Sequence, residues 1–295
     1  MKQEQLQNLQ AQVFSYFKTV LDQDRLAHAY LFSGAFASFD MAVFLSQAIF
    51  CQNKSGILPC GVCRTCCLIE QGEFSDVTIL SPQGNTIKTE RVRELVKDFS
   101  QSGYESNKQV FIICDAEKMH PNAANALLKV IEEPQSESWI FLLTNQEELV
   151  LPTIKSRTQI VRFPKNQEAL EYFLEQEGLL RNQATLVAQI ASSMEEAAHL
   201  AQNKSFLDVI AVIKKFVDRL LNRSDDAYLQ VGQVVALLPE KGEQGRVFDL
   251  ISLLLVDHLA DRNVRKLLSN CAQAKKMWQA NVSLQNALEY LCLQG

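Results

Sequence analysis

The chain has 295 residues, a length that suits two or three domains of ordinary size. Hydrophobic residues make up 47% and charged residues 21%, which excludes general disorder because enough apolar surface exists to offset chain entropy. The net charge of −5, from 29 basic and 34 acidic residues, is atypical of a strong stand-alone nucleic-acid binder, and only 11 glycines and 7 prolines disfavour an all-β sandwich.

The first part of the chain alternates helical and strand patterns. Helical periodicity runs from 3 to 22, and an apolar run at 29–32 predicts a buried strand that ends at the Ser33-Gly34 turn. Because strands and helices alternate, we expect a mostly parallel sheet with helices on both faces. Further strands are predicted at 76–80, 110–114, 139–143 and 160–163, with helices at 41–50, 89–100 and 121–131.

After Pro164 the strand patterns stop and only helical patterns continue. Residues 167–201 predict two or three short helices. Long amphipathic helices are then predicted at 206–221, 225–238, 245–260 and in a final stretch that ends at 291. The sequence therefore predicts three domains: an α/β domain over 1–165, a small helical domain over 166–205 and an all-helical domain over 206–295.

The apolar runs and the first residues bear on the compartment. The longest apolar run, at 250–256, has seven residues, whereas about 20 are needed to cross a bilayer. The first ten residues (MKQEQLQNLQ) are polar and lack the apolar segment of a secretory signal. We therefore expect no membrane association and a cytoplasmic protein, whose thiols stay reduced.

Four of the eight cysteines form a cluster with the spacing C-x8-C-x2-C-x2-C. Cys51, Cys60, Cys63 and Cys66 lie within 16 residues, and four thiolates can surround one Zn²⁺ tetrahedrally. Four protein ligands leave no position for water, so such a zinc would be structural. Two alternatives stay open from the residues alone: reduced cysteines without a metal, and a redox-active C-x-x-C pair.

The strand–turn–helix at 30–50 has the place of a phosphate-binding P-loop but lacks its residues. The loop pattern is G-x-x-x-x-G-K-[ST], whose backbone N–H groups and lysine hold phosphates. Gly34 matches the first glycine, whereas Phe39, Asp40 and Met41 replace the second glycine, the lysine and the Mg²⁺-binding hydroxyl. An aspartate about 4 Å from a phosphate charge repels it by roughly 4 kcal/mol at an effective dielectric near 20. We therefore predict a degenerate loop that binds no ATP.

Other polar residues follow the order found in an ATPase. Asp115 ends the third strand, where a Walker-B aspartate would project, but the next residue, Ala116, lacks the carboxylate that aligns the attacking water. Thr144 ends the fourth strand, and Ser156-Arg157 follow further along the chain. The layout of an ATPase is therefore present without its phosphate-binding residues.

Four segments together resemble one known family. They are RLAHAYLFSG, the cysteine spacing, NALLKVIEEP and LPTIKSR, and the resemblance covers essentially the whole chain. The chain resembles the delta-prime subunits of bacterial DNA polymerase III clamp loaders, although the last two segments also occur in the gamma/tau motor subunits. This resemblance implies an α/β AAA+ module with a RecA-like parallel sheet and a zinc-binding insertion at 51–66, followed by a small helical lid and an all-α collar.

The resemblance also implies a role for Arg157. The Ser-Arg-Cys motif of this family falls on Ser156, Arg157 and Thr158, and its third position departs from the family pattern. The usual sensor arginine of the lid falls near Glu195, a second departure, which agrees with a nucleotide site that is no longer used. The implied protein does not hydrolyse ATP itself, but presents Arg157 as a finger in trans to the ATP of a neighbouring motor subunit.

The partners implied by the resemblance are the gamma/tau motor subunits and the delta subunit, which form a hetero-pentamer with this chain. That ring loads a sliding clamp on primer-template DNA within the DNA polymerase III holoenzyme, a nucleotidyltransferase, and structural Zn²⁺ is the cofactor we expect. Two other functions stay open: an ATP-binding AAA+ ATPase with an atypical P-loop, and a zinc-stabilised adaptor protein.

Overall fold

The structure, a computed structural model, describes residues 1–84, 86–98, 105–133, 137–222 and 226–294. The chain separates into two compact units, residues 1–169 and the residues from 170 onward. The predicted helix ends at residues 99, 100 and 225 lie outside the described residues, as does the Pro134 that closes the segment NALLKVIEEP. The division of the helical part into a lid over 166–205 and a collar over 206–295 stays a prediction.

The first unit is a parallel sheet covered by helices. Its elements are α1 (Gln3–Leu9), α2 (Ala11–Asp22), β1 (Ala29–Ser33), α3 (Ser38–Phe50), α4 (Arg64–Gln71), β2 (Val77–Leu80), α5 (Thr89–Asp98), β3 (Lys108–Ile113), α6 (Pro121–Glu132), β4 (Glu137–Thr144), α7 (Pro152–Lys155) and β5 (Gln159–Arg162). The strand order is β2-β3-β4-β1-β5, and each neighbouring pair is parallel. The predicted parallel sheet is confirmed.

Each face of the sheet has its own core, because successive side chains of a strand point to opposite faces. Tyr30 and Phe32 of β1 are fully buried on one face, where Phe17 of α2 joins them. Leu31 lies on the other face, in a core that includes Leu127 of α6. Because both faces are covered by helices, β1 is apolar throughout its buried part and shows no polar alternation.

In the first unit the structure breaks one predicted helix and contains two helices, α4 and α7, that were not predicted. The periodic stretch 3–22 is broken at Gln10, whose φ of −132° and ψ of 52° are not helical. Helix α4 was not predicted, because its N-cap is Cys63, which accepts a hydrogen bond from the N–H of Cys66 at 3.5 Å. Cysteine is not among the residues that ordinarily mark a helix start, so the pattern gave no signal there.

In the second unit, all the described elements are helices. They are α8 (Gln167–Gln176), which starts at the end of the first unit, then α9 (Arg181–Ile190), α10 (Met194–Gln202), α11 (Lys204–Leu221), α12 (Asp226–Ala236), α13 (Lys241–Val256), α14 (Arg262–Gln279) and α15 (Leu284–Leu293). Within the described residues, no helix is both long enough and apolar enough to cross a bilayer. The predicted all-helical C-terminal part is confirmed.

An ion pair ties two of these helices together. Arg246 of α13 donates to Glu196 of α10 at 2.8 Å. Burial raises the pKa of Glu196, but hydrogen bonds from Ser192 and Arg246 outweigh it and hold the pKa below its ordinary value. The carboxylate is therefore charged at neutral pH and gives α10 a fixed position against α13.

Candidate functional site

Gly34 begins the loop between β1 and α3 and lies against two neighbouring strands. Its N–H donates to the carbonyl of Thr144 at 2.8 Å, and its φ is +120°, a conformation that favours glycine. A Cβ atom added there would lie 2.4 Å from the carbonyl oxygen of Phe163. The tight approach of β5 therefore requires glycine at this position, whether or not a nucleotide binds.

The three residues that replace the phosphate-binding set lie in the first turn of α3. Phe39 is 38% exposed, Met41 is fully buried in the core, and Asp40 pairs with the N-terminal ammonium of Met1 at 3.2 Å. None of these side chains supplies a cation for phosphate or a hydroxyl for Mg²⁺. The loop therefore presents no phosphate-holding side chain at these positions.

The side chain of Gln10 also holds this loop in place, a role that no sequence pattern predicted. Its side chain is buried, and Nε2 donates to the carbonyl oxygens of Phe36 at 2.9 Å and of Pro164 at 2.8 Å. One amide therefore joins the break between α1 and α2 to the degenerate loop and to the end of β5. No sequence pattern marks this residue, because Gln10 is one of several glutamines in a polar N-terminal stretch.

Asp115 and Thr144 lie at the carboxyl ends of β3 and β4, as predicted from their places in the sequence. Asp115 has a φ of +50° and forms an ion pair with Lys118 at 3.0 Å. The buried hydroxyl of Thr144 accepts a hydrogen bond from the N–H of Gln146 at 3.1 Å. Both polar groups are thus engaged by protein partners.

The four predicted ligand cysteines converge after α3. The Sγ atom of Cys51 lies 3.6 Å from that of Cys60 and 4.0 Å from that of Cys63, and all four Sγ atoms, including that of Cys66, lie within 4.8 Å of one another. Sulfurs around a tetrahedral zinc with bonds near 2.3 Å are roughly 3.8 Å apart. The spacing and the donor set therefore fit a Zn²⁺ ion.

The pKa values of two thiols in this cluster are shifted in opposite directions. The N–H groups of Val62 and Cys63 point at Cys60 and lower the pKa of its thiol to about 6. Burial raises the pKa of the Cys66 thiol, and the neighbouring Cys63 adds to that effect. A buried thiolate needs a compensating positive charge nearby. The cluster therefore favours a bound metal ion over four uncoordinated thiols.

Two neighbours of the cluster have separate roles. Cys67 points away and lies 3.7 Å from the carbonyl oxygen of Val62. The side chain of Gln47, on α3, donates to the carbonyl of Cys66 at 2.9 Å and so ties α3 to α4. The cysteine cluster therefore stands at a junction of two helices that is already hydrogen-bonded.

Arg157 follows the short helix α7 and is 37% exposed. Its Nε donates to Glu132 at the end of α6, and its Nη1 donates to the carbonyl of Thr153 and to the hydroxyl of Ser156, each at 3.2 Å. Thr158, at the third position of the motif, donates its hydroxyl to the carbonyl of Ile154 at 3.0 Å. The side chain of Thr158 thus closes the last turn of α7.

Arg157 and the degenerate loop lie at opposite edges of the sheet. Gln159 pairs with Tyr30 at the amino end of β1, whereas Gly34 follows its carboxyl end. At about 3.3 Å per residue, Arg157 and Gly34 are roughly 15–20 Å apart along the strand direction, which is farther than an arginine side chain extends. Arg157 therefore cannot reach the pocket of its own chain.

Comparison with known proteins places the chain among DNA replication proteins. The sequence profile of the family described as DNA polymerase III, delta subunit, matches residues 9–167. The DNA polymerase III subunit delta' of Bacillus subtilis is 30% identical, over 98% of this chain and 97% of its own length. The chain belongs to the DNA polymerase III delta-prime family. The delta' subunit of Escherichia coli is 34% identical, over 53% of this chain and 48% of its own length.

A solved structure supports the fold of this family member. The crystal structure of a DNA polymerase III gamma subunit-related protein from Thermotoga maritima has a TM-score of 0.50 and 17% identity, and the match covers 95% of this chain and 97% of that one. The predicted architecture, a parallel sheet followed by helices, is confirmed.

The hydrogen bonds of Gln10 predict a local stability effect in this delta-prime family member. Gln10→Leu should lower the free energy of unfolding of the first unit by about 1–3 kcal/mol, because the carbonyls of Phe36 and Pro164 lose a donor. Amide hydrogen exchange at residues 34–37 should become faster. Gln12→Leu, at an exposed position of α2, is the control, with an effect within about 0.5 kcal/mol. Equal effects of both variants would contradict the bridging role.

Proposed function

We propose that this chain is the non-hydrolysing stator subunit of a DNA polymerase III clamp loader and presents Arg157 to the ATP of an adjacent motor subunit. The observation that supports this most is the placement of two features at opposite edges of one sheet. The degenerate loop after Gly34 lies at the carboxyl edge, and Arg157 lies at the amino edge. An exposed arginine at that edge is available to a neighbouring subunit and not to its own pocket.

The chemistry of the guanidinium fits this role. Charge spreads over the equatorial oxygens of the γ-phosphoryl group as it is transferred, and a rigid planar cation stabilises that charge. Arginine fingers contribute about 10³–10⁵ to the rate of well-studied phosphoryl transfers. Ser156, whose hydroxyl accepts from Nη1, supports the orientation of the finger.

The partners follow from the family and from the function proposed here. The gamma/tau motor subunits supply the ATP, the delta subunit completes a hetero-pentamer, and the helices from residue 206 onward join the collar of that ring. The assembled loader opens a sliding clamp and places it on primer-template DNA. The net charge of −5 agrees with a subunit that meets DNA only through the complex.

Zinc is the metal we propose for the cysteine cluster. Cys51, Cys60, Cys63 and Cys66 would hold it with four thiolates, a complete tetrahedral shell. The ion would join the end of α3 to the start of α4 and would take no part in ATP chemistry, because no ligand position is left for water.

A second candidate function is ATP binding by an atypical loop. A cavity of about 930 Å³ lies beside Gln10 and is lined by Ser33, Arg162 and Lys165. Its cations are engaged, however, since Arg162 pairs with Glu147 at 3.0 Å and Lys165 lies 5.3 Å from the centre of the Phe36 ring. Both of these cations therefore already have protein partners, which disfavours a triphosphate there.

Nucleotide binding separates the two candidates. The isolated chain should show no saturable binding of labelled Mg·ATP up to about 1 mM, because residues 39–41 offer neither a lysine for the phosphates nor a hydroxyl for Mg²⁺. Equilibrium dialysis measures this directly, with a motor subunit of complete P-loop as the positive control. Micromolar affinity would overturn the assignment of a silent pocket.

Removal of the finger tests the main proposal. In the reconstituted loader, with clamp and primed DNA, Arg157→Ala should lower ATP turnover at the site that faces this chain by about 10³-fold. Arg157→Lys should recover little of this ATP turnover, because the lysine ammonium lacks the planar guanidinium group that donates two parallel hydrogen bonds. Gel filtration should show an assembled ring. Arg25→Ala, at an exposed position of the same unit, is the matched control. Unchanged turnover for Arg157→Ala would remove this residue from the mechanism.

Loss of one thiol tests the metal. Cys63→Ser should abolish stoichiometric zinc and speed amide hydrogen exchange between the end of α3 and the start of α4, because a serine hydroxyl replaces the thiolate ligand poorly although it can still cap α4. Elemental analysis and hydrogen exchange measure the two effects. Cys67→Ser should keep the metal, since its sulfur points away from the cluster. A folded Cys63→Ser protein with full zinc content would refute the ligand assignment.

A further inference from the structure

We propose that Glu132 is a positioning residue, which holds the guanidinium of Arg157 so that its Nη2 end faces the ATP of the neighbouring subunit. The inference rests on the proposed function of Arg157 and adds a second residue to it. Glu132 lies 25 residues away in sequence, at the last position of α6 and within the segment NALLKVIEEP, whose pattern assigns no role to this residue.

The hydrogen bonds of Arg157 use only part of its guanidinium. Nε donates to Oε1 of Glu132, and Nη1 donates to the carbonyl of Thr153 and the hydroxyl of Ser156. Among the hydrogen bonds of the described residues, none involves Nη2 of Arg157. The guanidinium is therefore held along two sides, and its remaining N–H groups are free to meet a phosphoryl oxygen.

Both partners of this ion pair belong to helical segments that are anchored in the hydrophobic core. Ile131, next to Glu132, and Ile154 of α7 belong to the same core and are at most 1% exposed. The carbonyl oxygen of Ile131 lies 2.7 Å from Nε2 of His28, which must donate because a carbonyl only accepts. His28 directly precedes β1, so the end of α6 has a fixed position relative to the sheet.

Because the Glu132–Arg157 pair is exposed to solvent, its main effect is to orient the Arg157 guanidinium and not to stabilise the fold. The side chains of Glu132 and Arg157 are 47% and 37% exposed, and ion pairs so exposed to solvent contribute little to folding stability. A free arginine samples many rotamers, whereas a held one meets its target with less loss of entropy. Misplacement of a reacting group by about 1 Å can cost on the order of 10²-fold in rate.

The test is a set of variants in the complete clamp loader, with clamp and primed DNA. Glu132→Ala should lower kcat of the facing ATP site by about 10- to 100-fold, without changing KM for ATP, the melting temperature or ring assembly. Glu132→Gln should keep most of the activity, because its carbonyl oxygen still accepts from Nε. Glu148→Ala, an exposed carboxylate near α7, is the control and should behave as the parent protein.

A double variant separates positioning from independent effects. Glu132→Ala combined with Arg157→Ala should be no slower than Arg157→Ala alone, because a residue that acts through Arg157 has nothing left to orient. Multiplied losses in the double variant would overturn the inference. So would unchanged or faster turnover in Glu132→Ala, which would indicate a silent residue or one that withholds the finger.

The same set shows which of the two proposals fails. If Arg157→Ala is slow and Glu132→Ala is not, the positioning role falls and the finger stands. If Arg157→Ala is itself without effect, both proposals fall together.

Discussion

The place of β1 between β4 and β5 is the constraint on which the rest of this structure depends. In a parallel sheet all carboxyl ends meet at one edge and all amino ends at the other. The loop after Gly34 is thereby assigned to one edge, and the end of α6, with Arg157 beside it, to the other. The strand β1, of five residues, therefore separates the loop after Gly34, which has no phosphate-binding side chain at residues 39–41, from Arg157, whose guanidinium we propose for the ATP of a neighbouring subunit.

At the carboxyl edge the protein itself makes the contacts that hold the loop in place. Gly34 is pressed against the backbone of Phe163, Gln10 donates to two carbonyls, and Asp115 is paired with Lys118. A loop already held by backbone and side-chain hydrogen bonds needs no bound nucleotide to become ordered. The residues Phe39, Asp40 and Met41 are therefore compatible with a well-packed domain, whose loop after Gly34 is held by the protein itself.

At the amino edge and at the cysteine cluster, contacts with neighbouring elements hold the polar side chains in place. Glu132 and Arg157 are surface residues, but Glu132 follows the buried Ile131 directly and the N–H of Arg157 donates to the carbonyl of the buried Ile154 at 3.0 Å. The cysteines lie at the junction of α3 and α4, where Gln47 already joins the two helices. In both places the polar group is held by neighbouring elements, through core residues beside Glu132 and Arg157 and through a hydrogen bond between α3 and α4 at the cysteines, which favours a fixed geometry.

The sequence by itself determined the alternation of strands and helices, from which the parallel sheet was expected. It also determined which residues stand at 39–41, none of them a lysine, serine or threonine, and the spacing of the four cysteines, because these are local patterns of burial and residue type. Only the tertiary structure decided that Gln10 closes the loop and that Glu132 meets Arg157. Those contacts join residues 25 or more positions apart. They depend on strand order and on the angle at which helices return to the sheet, which hydrophobic periodicity does not encode.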